Sequence, residues 1–295
     1  MEKRIVLIVL FSLVQINCIS QNLIGKIIDS ITLKPIAYVN ITYVERNLGT
    51  NTNENGEFSL NDINVNKKLQ ISHVGYLTKK INLSVFKEKK THLIEIKLIS
   101  KQEELEEIII THIKKKYSSN KNLGISKNLK IRTGFPLGYE FSNYIKNPYN
   151  KKGKLVSIIL NLNKRKEYDN LCSYNIKFYK YDEINKSPGE EMFFENLIIH
   201  PQNKSYKLKI DVEDLNIDFE KNGICIGVTI LDTSKKKLNE TMSKNAPYIN
   251  FTLTEKEILT WTRFRDKQWK VATTKSPTNE KYINSMINID VKIEK

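Results

Sequence analysis

Residues 34–60 decide the fold: Lys34-Pro35-Ile36-Ala37-Tyr38-Val39-Asn40-Ile41-Thr42-Tyr43-Val44, then Gly49-Thr50-Asn51-Thr52-Asn53-Glu54-Asn55-Gly56-Glu57-Phe58-Ser59-Leu60. From Ala37 to Val44, β-branched and aromatic residues dominate, as a strand requires. Asn53-Glu54-Asn55-Gly56 is turn material. After it, Phe58 and Leu60 alternate with polar neighbours, at the period of two that puts them on one face. Gly49 and Gly56 bracket the polar loop, where glycine permits positive φ. Extended run, polar turn, extended run is the unit from which an antiparallel sandwich is built.

The pattern continues in both directions. Ile24–Asp29, Lys68–His73, Thr78–Leu83 and His92–Ile99 read as further strands, separated by Leu33-Lys34-Pro35 and Asn64-Val65-Asn66. One strand in roughly every ten residues predicts a sandwich or barrel rather than an α/β fold. Lys114–Lys130 is rich in Lys, Ser and Asn and poor in apolar residues, which reads as a linker. Beyond it the β pattern resumes over Tyr139–Tyr144, Lys154–Leu162, Ser173–Tyr181, Met192–Ile199, Lys207–Val212, Gly223–Leu231, Tyr248–Leu253, Ile258–Phe264, Trp269–Thr273 and Ile283–Ile293. Pro188-Gly189 and Arg265-Asp266-Lys267 read as turns. About ten short strands in one block predict a second, larger sandwich of jelly-roll type. The chain is therefore expected to be all-β, with a sandwich over 21–112, a linker over 113–132 and a larger jelly-roll-like sandwich over 133–295.

Lys3 and Arg4, the apolar run Ile5–Val14 and the segment Cys18-Ile19-Ser20 read as a signal peptide over 1–20, cleaved before Gln21. Lipidation of Cys18 is the alternative, but Gln15-Ile16-Asn17 fits the Leu-x-small pattern before a lipidated Cys poorly. Export places the mature chain in the periplasm or at the outer membrane, with no transmembrane segment. It leaves Cys172 and Cys225 of the three cysteines. Cys172 falls on a core face and Cys225 out of phase with Ile224, Ile226 and Val228, which argues against their pairing. Losing residues 1–20 lowers the formal charge from +15 to +14. The lysines are scattered over strand faces and turns with no Arg-rich block, so no nucleic-acid partner is expected.

Several ordered blocks carry a family resemblance. They are Gly25-Lys26-Ile27-Ile28-Asp29, Lys34-Pro35-Ile36-Ala37-Tyr38-Val39-Asn40-Ile41, Gly49-Thr50-Asn51-Thr52-Asn53-Glu54-Asn55-Gly56-Glu57-Phe58 and Ile71-Ser72-His73-Val74-Gly75-Tyr76. Together they resemble the carboxypeptidase-regulatory-like (prealbumin-like) domain. Leu105-Glu106-Glu107-Ile108-Ile109-Ile110-Thr111 resembles the segment that succeeds this domain in TonB-dependent outer-membrane receptors. Lys34 departs from the family's usual glycine. The resemblance implies an accessory module rather than a catalytic unit. The second half resembles, more loosely, uncharacterised exported β-sandwich proteins. The residues beyond Thr111 are too few to build a receptor barrel of about 22 strands.

Catalytic templates fit poorly. His92-Leu93-Ile94-Glu95 matches H-x-x-E, with His200 as a distant third ligand, but on a strand His92 and Glu95 point to opposite faces. No G-x-S-x-G elbow, phosphate-binding Gly-rich loop, H-E-x-x-H or CxxC is present. Glu190-Glu191 and Glu103-Glu104 read as solvated surface. No catalytic, cofactor or metal site is expected. Trp261 and Trp269, equidistant from a turn at Arg265, are expected to face each other across a hairpin, either as a core pair or as a platform for a sugar ring. The sequence thus predicts a non-enzymatic cell-envelope protein that binds or scaffolds, with an envelope protein or glycan as partner. A carbohydrate-binding module in the C-terminal sandwich, and a glycan hydrolase with a carboxylate pair there, are the alternatives.

Overall fold

A computed structural model of the chain describes residues 22–46, 48–61, 63–86, 91–101, 115–125, 138–166, 171–232, 246–254, 257–275 and 280–295. The expected signal peptide 1–20, Cys18 and residues 113–114 and 126–132 of the expected linker lie outside these residues.

The first unit is a sandwich of seven strands: β1 (Asn22–Asp29), β2 (Asn40–Tyr43), β3 (Gly49–Asn51), β4 (Glu57–Leu60), β5 (Lys68–Ser72), β6 (Lys79–Asn82) and β7 (Thr91–Leu98). One sheet has the order β4-β1-β7 and the other β3-β2-β5-β6. β1 and β7 run parallel; the other pairs are antiparallel. Alternation packs Leu23, Ile27, Ile41, Phe58, Leu69, Ile71, Ile96 and Leu98 between the sheets. Gly56 adopts φ +72 at the turn into β4. Gly49 does not have positive φ; a Cβ there would lie 2.1 Å from the Ile41 carbonyl oxygen, so it is glycine for close strand approach.

The second unit is larger. Its strands are β8 (Lys121–Gly124), β9 (Tyr139–Ile145), β10 (Gly153–Asn163), β11 (Cys172–Asp182), β12 (Ser187–Glu191), β13 (Leu197–Ile199), β14 (Tyr206–Asp211), β15 (Asp218–Phe219), β16 (Ile224–Asp232), β17 (Tyr248–Ile249), β18 (Phe251–Thr254), β19 (Thr260–Phe264), β20 (Lys270–Val271), β21 (Thr273–Lys275), β22 (Glu280–Ser285) and β23 (Ile287–Ile293). One main sheet runs β14-β10-β23-β8 and the other β12-β11-β16-β9-β19-β20, with a small third sheet β18-β22-β21. Phe141, Ile158, Leu160, Tyr174, Ile176, Phe178, Ile226, Val228 and Ile289 fill the space between the two main sheets. Among the described residues no helix is long and apolar enough to cross a membrane.

Four details differ from the sequence reading. The expected linker is shorter, because β8 pairs with β23 and Ser118 N–H donates to the Ile293 carbonyl at 2.8 Å. Pro188-Gly189 is strand, not turn; the reversal falls over 183–186, with Lys186 at φ 48. The single strand expected over Met192–Ile199 is reduced to β13. Ile283–Ile293 is two strands in different sheets, changing over at Met286. Cys172 and Cys225 form no disulfide; on the β11/β16 ladder Cys172 lies opposite Asp232 and Cys225 opposite Tyr179, far beyond disulfide reach.

Candidate functional site: the junction between the sandwiches

The core face of the β12-β11-β16-β9-β19-β20 sheet is apolar. Its other face is polar, yet much of it is buried. Alternation brings Glu140 of β9, Lys177 and Tyr179 of β11, Gly227 and Thr229 of β16, and Arg263 of β19 to that face. Arg263 lies directly opposite Glu140 in the β19/β9 register. Its Nε and Nη2 donate to Glu140 Oε2 at 3.0 and 2.8 Å, and Nη2 also donates to the Tyr179 hydroxyl oxygen at 2.9 Å. The Tyr179 hydroxyl donates to Glu140 Oε1 at 2.6 Å. Trp269 completes the group, with the Arg263 guanidinium 4.1 Å from its ring centroid and the Tyr179 ring edge-on at 5.6 Å. Burial raises the Tyr179 hydroxyl far above its ordinary pKa, with the Glu140 charge adding to the effect. Burial pulls the Arg263 guanidinium down, but Glu140 and Tyr179 more than offset it, so it stays firmly charged.

Beside this group the turn after β19 reaches into the first sandwich. Arg265 takes φ 51, and its N–H donates to the Gly138 carbonyl at 2.8 Å. That geometry aims Arg265 and Asp266 at one cross-strand row of the first sandwich: Asn51, Asn40 and Ser72, neighbours on β3, β2 and β5. Asp266 Oδ2 accepts from Asn40 Nδ2 at 2.9 Å and from the Ser72 hydroxyl. Arg265 Nη1 donates to Asn40 Oδ1 at 3.1 Å and to Asn51 Oδ1. Lys267 Nζ donates to the Arg46 carbonyl at 3.3 Å, and Asn196 contacts His73 at 3.5 Å. Burial pushes the Asp266 carboxyl up, but Lys177, Arg263, Ser72 and Asn40 together bring it below the ordinary range. Burial lowers Arg265 to about 10, against the pull of Asp266.

Between these contacts lies a cleft lined by Asn40, His73, Asn175, Lys177, Glu191 and Thr229, among others. Glu191, expected at the surface, sits inside it with Lys177 Nζ at 3.7 Å; its neighbour Glu190 is the solvated one, paired with Lys180. Burial pushes the Glu191 carboxyl up to about 7, Lys177 holding it back only in part. Burial also lowers His73. The cavity volume is about 20 Å³, which admits about one water molecule and no sugar ring. Asn175 Oδ1, Thr229 Oγ1 and Arg265 Nε have no protein partner there, and such a water would serve them.

The two tryptophans are not partners. Trp261 pairs with Val271, so the hairpin centres on Asp266 rather than Arg265, and that one-residue offset puts Trp269 across from Arg263. Trp261 is 3 % exposed and lies against Tyr181, whose other neighbour is the stacked Tyr144 ring at 3.9 Å. His92 packs on Phe86 at 4.9 Å on the inner side of β7, while Glu95 is exposed on the outer side. His200 is hydrogen-bonded to the Ser173 hydroxyl at 2.7 Å in the other sandwich. Among the described residues no group of three or more His, Cys, Asp or Glu side chains converges to hold a metal ion.

Residues 23–110 match the CarboxypepD_reg-like domain family, which covers the whole first sandwich. A DUF3823 family protein from Parabacteroides merdae ATCC 43184 is a structural neighbour at 11% identity and TM-score 0.20, over 72% of this chain and 98% of that one. No curated protein matches the chain.

Proposed function

We propose that this chain is a non-enzymatic cell-envelope protein that binds or scaffolds, with its two sandwiches working as one body. The observation that carries this reading is the junction. A charged turn of the second sandwich is seated on a polar row of the first, and the charged groups around it are committed to one another. Glu140 has both oxygens engaged, Asp266 is held by Asn40 and Ser72, and Lys177 stands against Glu191. Groups tied up in this way fix geometry; they are not poised to reach a substrate. The regulatory-like family of residues 23–110 agrees with an accessory rather than a catalytic role.

The compartment belongs to the same proposal: export directed by residues 1–20, cleavage before Gln21, and residence in the periplasm or at the outer membrane. Fractionation of expressing cells with N-terminal sequencing tests it, and an uncleaved cytoplasmic chain overturns it. The scaffolding role is tested by in-cell crosslinking of the intact chain and of an Asp266→Ala variant. The expected result is a discrete set of envelope partners for the intact chain, altered in the variant. Turnover of an envelope glycan by the purified chain, abolished by Glu191→Gln, would replace scaffolding with hydrolysis.

A further inference from the structure

Four large aliphatic side chains stand in solvent at one end of the first sandwich: Ile31 at 74 % exposure, Leu33 at 58 %, Leu77 at 51 % and Ile99 at 57 %. They come from three segments that the backbone ties together. Ser30 N–H donates to the Leu98 carbonyl and Leu77 N–H to the Ile99 carbonyl, each at 2.8 Å. Tyr76 bridges Ser100, and Lys101 N–H donates to the Gly75 carbonyl at 2.7 Å.

The loop after β1 is preformed. Asp29 Oδ1 accepts from the Ile31 and Thr32 N–H groups at 2.8 and 2.7 Å, and Tyr76 donates to the same carboxylate. Asp29 is only 7 % exposed, so its charge is used inside the loop. Leu33 holds φ 57, a left-handed conformation that Gly or Asn would adopt more easily. The backbone therefore holds a leucine in water, in a conformation that leucine disfavours.

The same segments carry Lys34, Lys79, Lys80 and Lys101, all exposed, with the Lys79 ammonium donating to the Lys97 carbonyl at 3.1 Å. The segments 30–35, 73–80 and 98–101 contain no acidic residue. Exposed aliphatics rimmed by polar groups mark interaction surfaces. Aliphatics within a ring of lysines fit a bilayer interface, with carbon chains below the side chains and phosphates beside the ammonium groups.

We infer that this end of the first sandwich docks on a lipid bilayer bearing anionic headgroups. Ile31, Leu33, Leu77 and Ile99 enter the boundary between headgroups and acyl chains, and the four lysines contact the phosphates. The inference does not rest on the export reading. Vesicle binding by purified protein tests the surface, whereas cell fractionation tests the compartment, so each can fail alone.

The experiment is co-sedimentation of the chain from residue 21 onward with vesicles of phosphatidylethanolamine and phosphatidylglycerol, or of phosphatidylcholine alone. Binding is expected to the anionic vesicles only, and to weaken as salt is raised. Lys34→Ala with Lys101→Ala should lower partitioning about 25-fold, at about fivefold per lysine. Ile31→Ser with Leu33→Asn, placed at exposed positions so that the melting temperature holds, should lower it at least about tenfold. Leu93→Ser is the control. Leu93 is 80 % exposed but lies five residues back along β7, and its loss should change nothing. The inference is overturned by absence of binding to anionic vesicles, by equal binding to phosphatidylcholine, by undiminished binding of either double variant, or by an equal loss in Leu93→Ser.

Discussion

Gly227 lacks a side chain because Glu140 and Tyr179 occupy its place. A Cβ there would lie 2.6 Å from Glu140 Oε1 and 2.7 Å from a Tyr179 ring carbon. Gly227→Ala should therefore cost about 1–3 kcal/mol in urea unfolding, from overpacking that the buried group cannot relax. Arg263→Ala should cost more, about 3–5 kcal/mol, because it leaves the Glu140 carboxylate buried and unpaired. Replacing both, Glu140→Leu with Arg263→Leu, should recover much of that loss, and a thermodynamic cycle over four proteins (unsubstituted, Glu140→Leu, Arg263→Leu and the double variant) measures the coupling. Glu191 supplies a pH signature. Its folded pKa of about 7 lies above its ordinary value of 4.5, so its contribution is fully present below about pH 4.5 and is lost as pH rises through about 7. Relative to Glu191→Gln, the unsubstituted protein should lose on the order of 2–3 kcal/mol between those limits. Urea midpoints of the two proteins across that range check it, and the comparison cancels the opposing titration of His73. Little of this group is legible in the sequence. Glu191 looks like any surface acid until the strand carrying it is known to fold over Lys177, and Trp269 finds Arg263 only once the hairpin centre is fixed to one residue. Periodicity gives faces; it does not give register.

At the scale of elements, alternation and turn residues made most strands of both sandwiches readable, because each strand buries one face. What escaped reading is where polar composition hides pairing. β8 is Lys121-Asn122-Leu123-Gly124, with a single apolar residue, and it is a strand because β23 offers an edge. Asn122 donates to Asp290 at 2.8 Å, and Lys115 pairs with Glu294 at 2.7 Å. Gly124 takes φ +126, and a Cβ there would lie 2.4 Å from the Ile287 carbonyl oxygen. Gly124→Ala should strip β8 from the sheet. Trypsin should then cut at Lys115, Lys116 and Lys121 at least about tenfold faster than in the unsubstituted protein, where these sites are held by pairing. Equal cleavage rates in a time course would contradict the role given to β8. The row Asn51, Asn40 and Ser72 shows the same limit: each lies inside or beside a family block, but only the sheet makes them one surface.

For the whole molecule, the decisive contact is the turn at Arg265 and Asp266. Asp266→Ala removes the acceptor for Asn40 and Ser72 and the negative charge beside buried Arg265. The coupling between sandwiches should fall by about 3–5 kcal/mol. Small-angle scattering should then show a larger radius of gyration and a broader distance distribution, while each sandwich keeps its own far-ultraviolet signature. An unchanged scattering curve would mean that other contacts set the relation of the two sandwiches.

β23 lies between β10 and β8, so the β14-β10-β23-β8 sheet closes around a strand that succeeds both of its neighbours by more than a hundred residues. During synthesis, β8 and β10 leave the ribosome with their shared neighbour still unmade. Closure between such distant segments is slow, since loop entropy must be met before any ladder forms. The β14-β10-β23-β8 sheet of the second sandwich therefore cannot be completed until β23 has emerged.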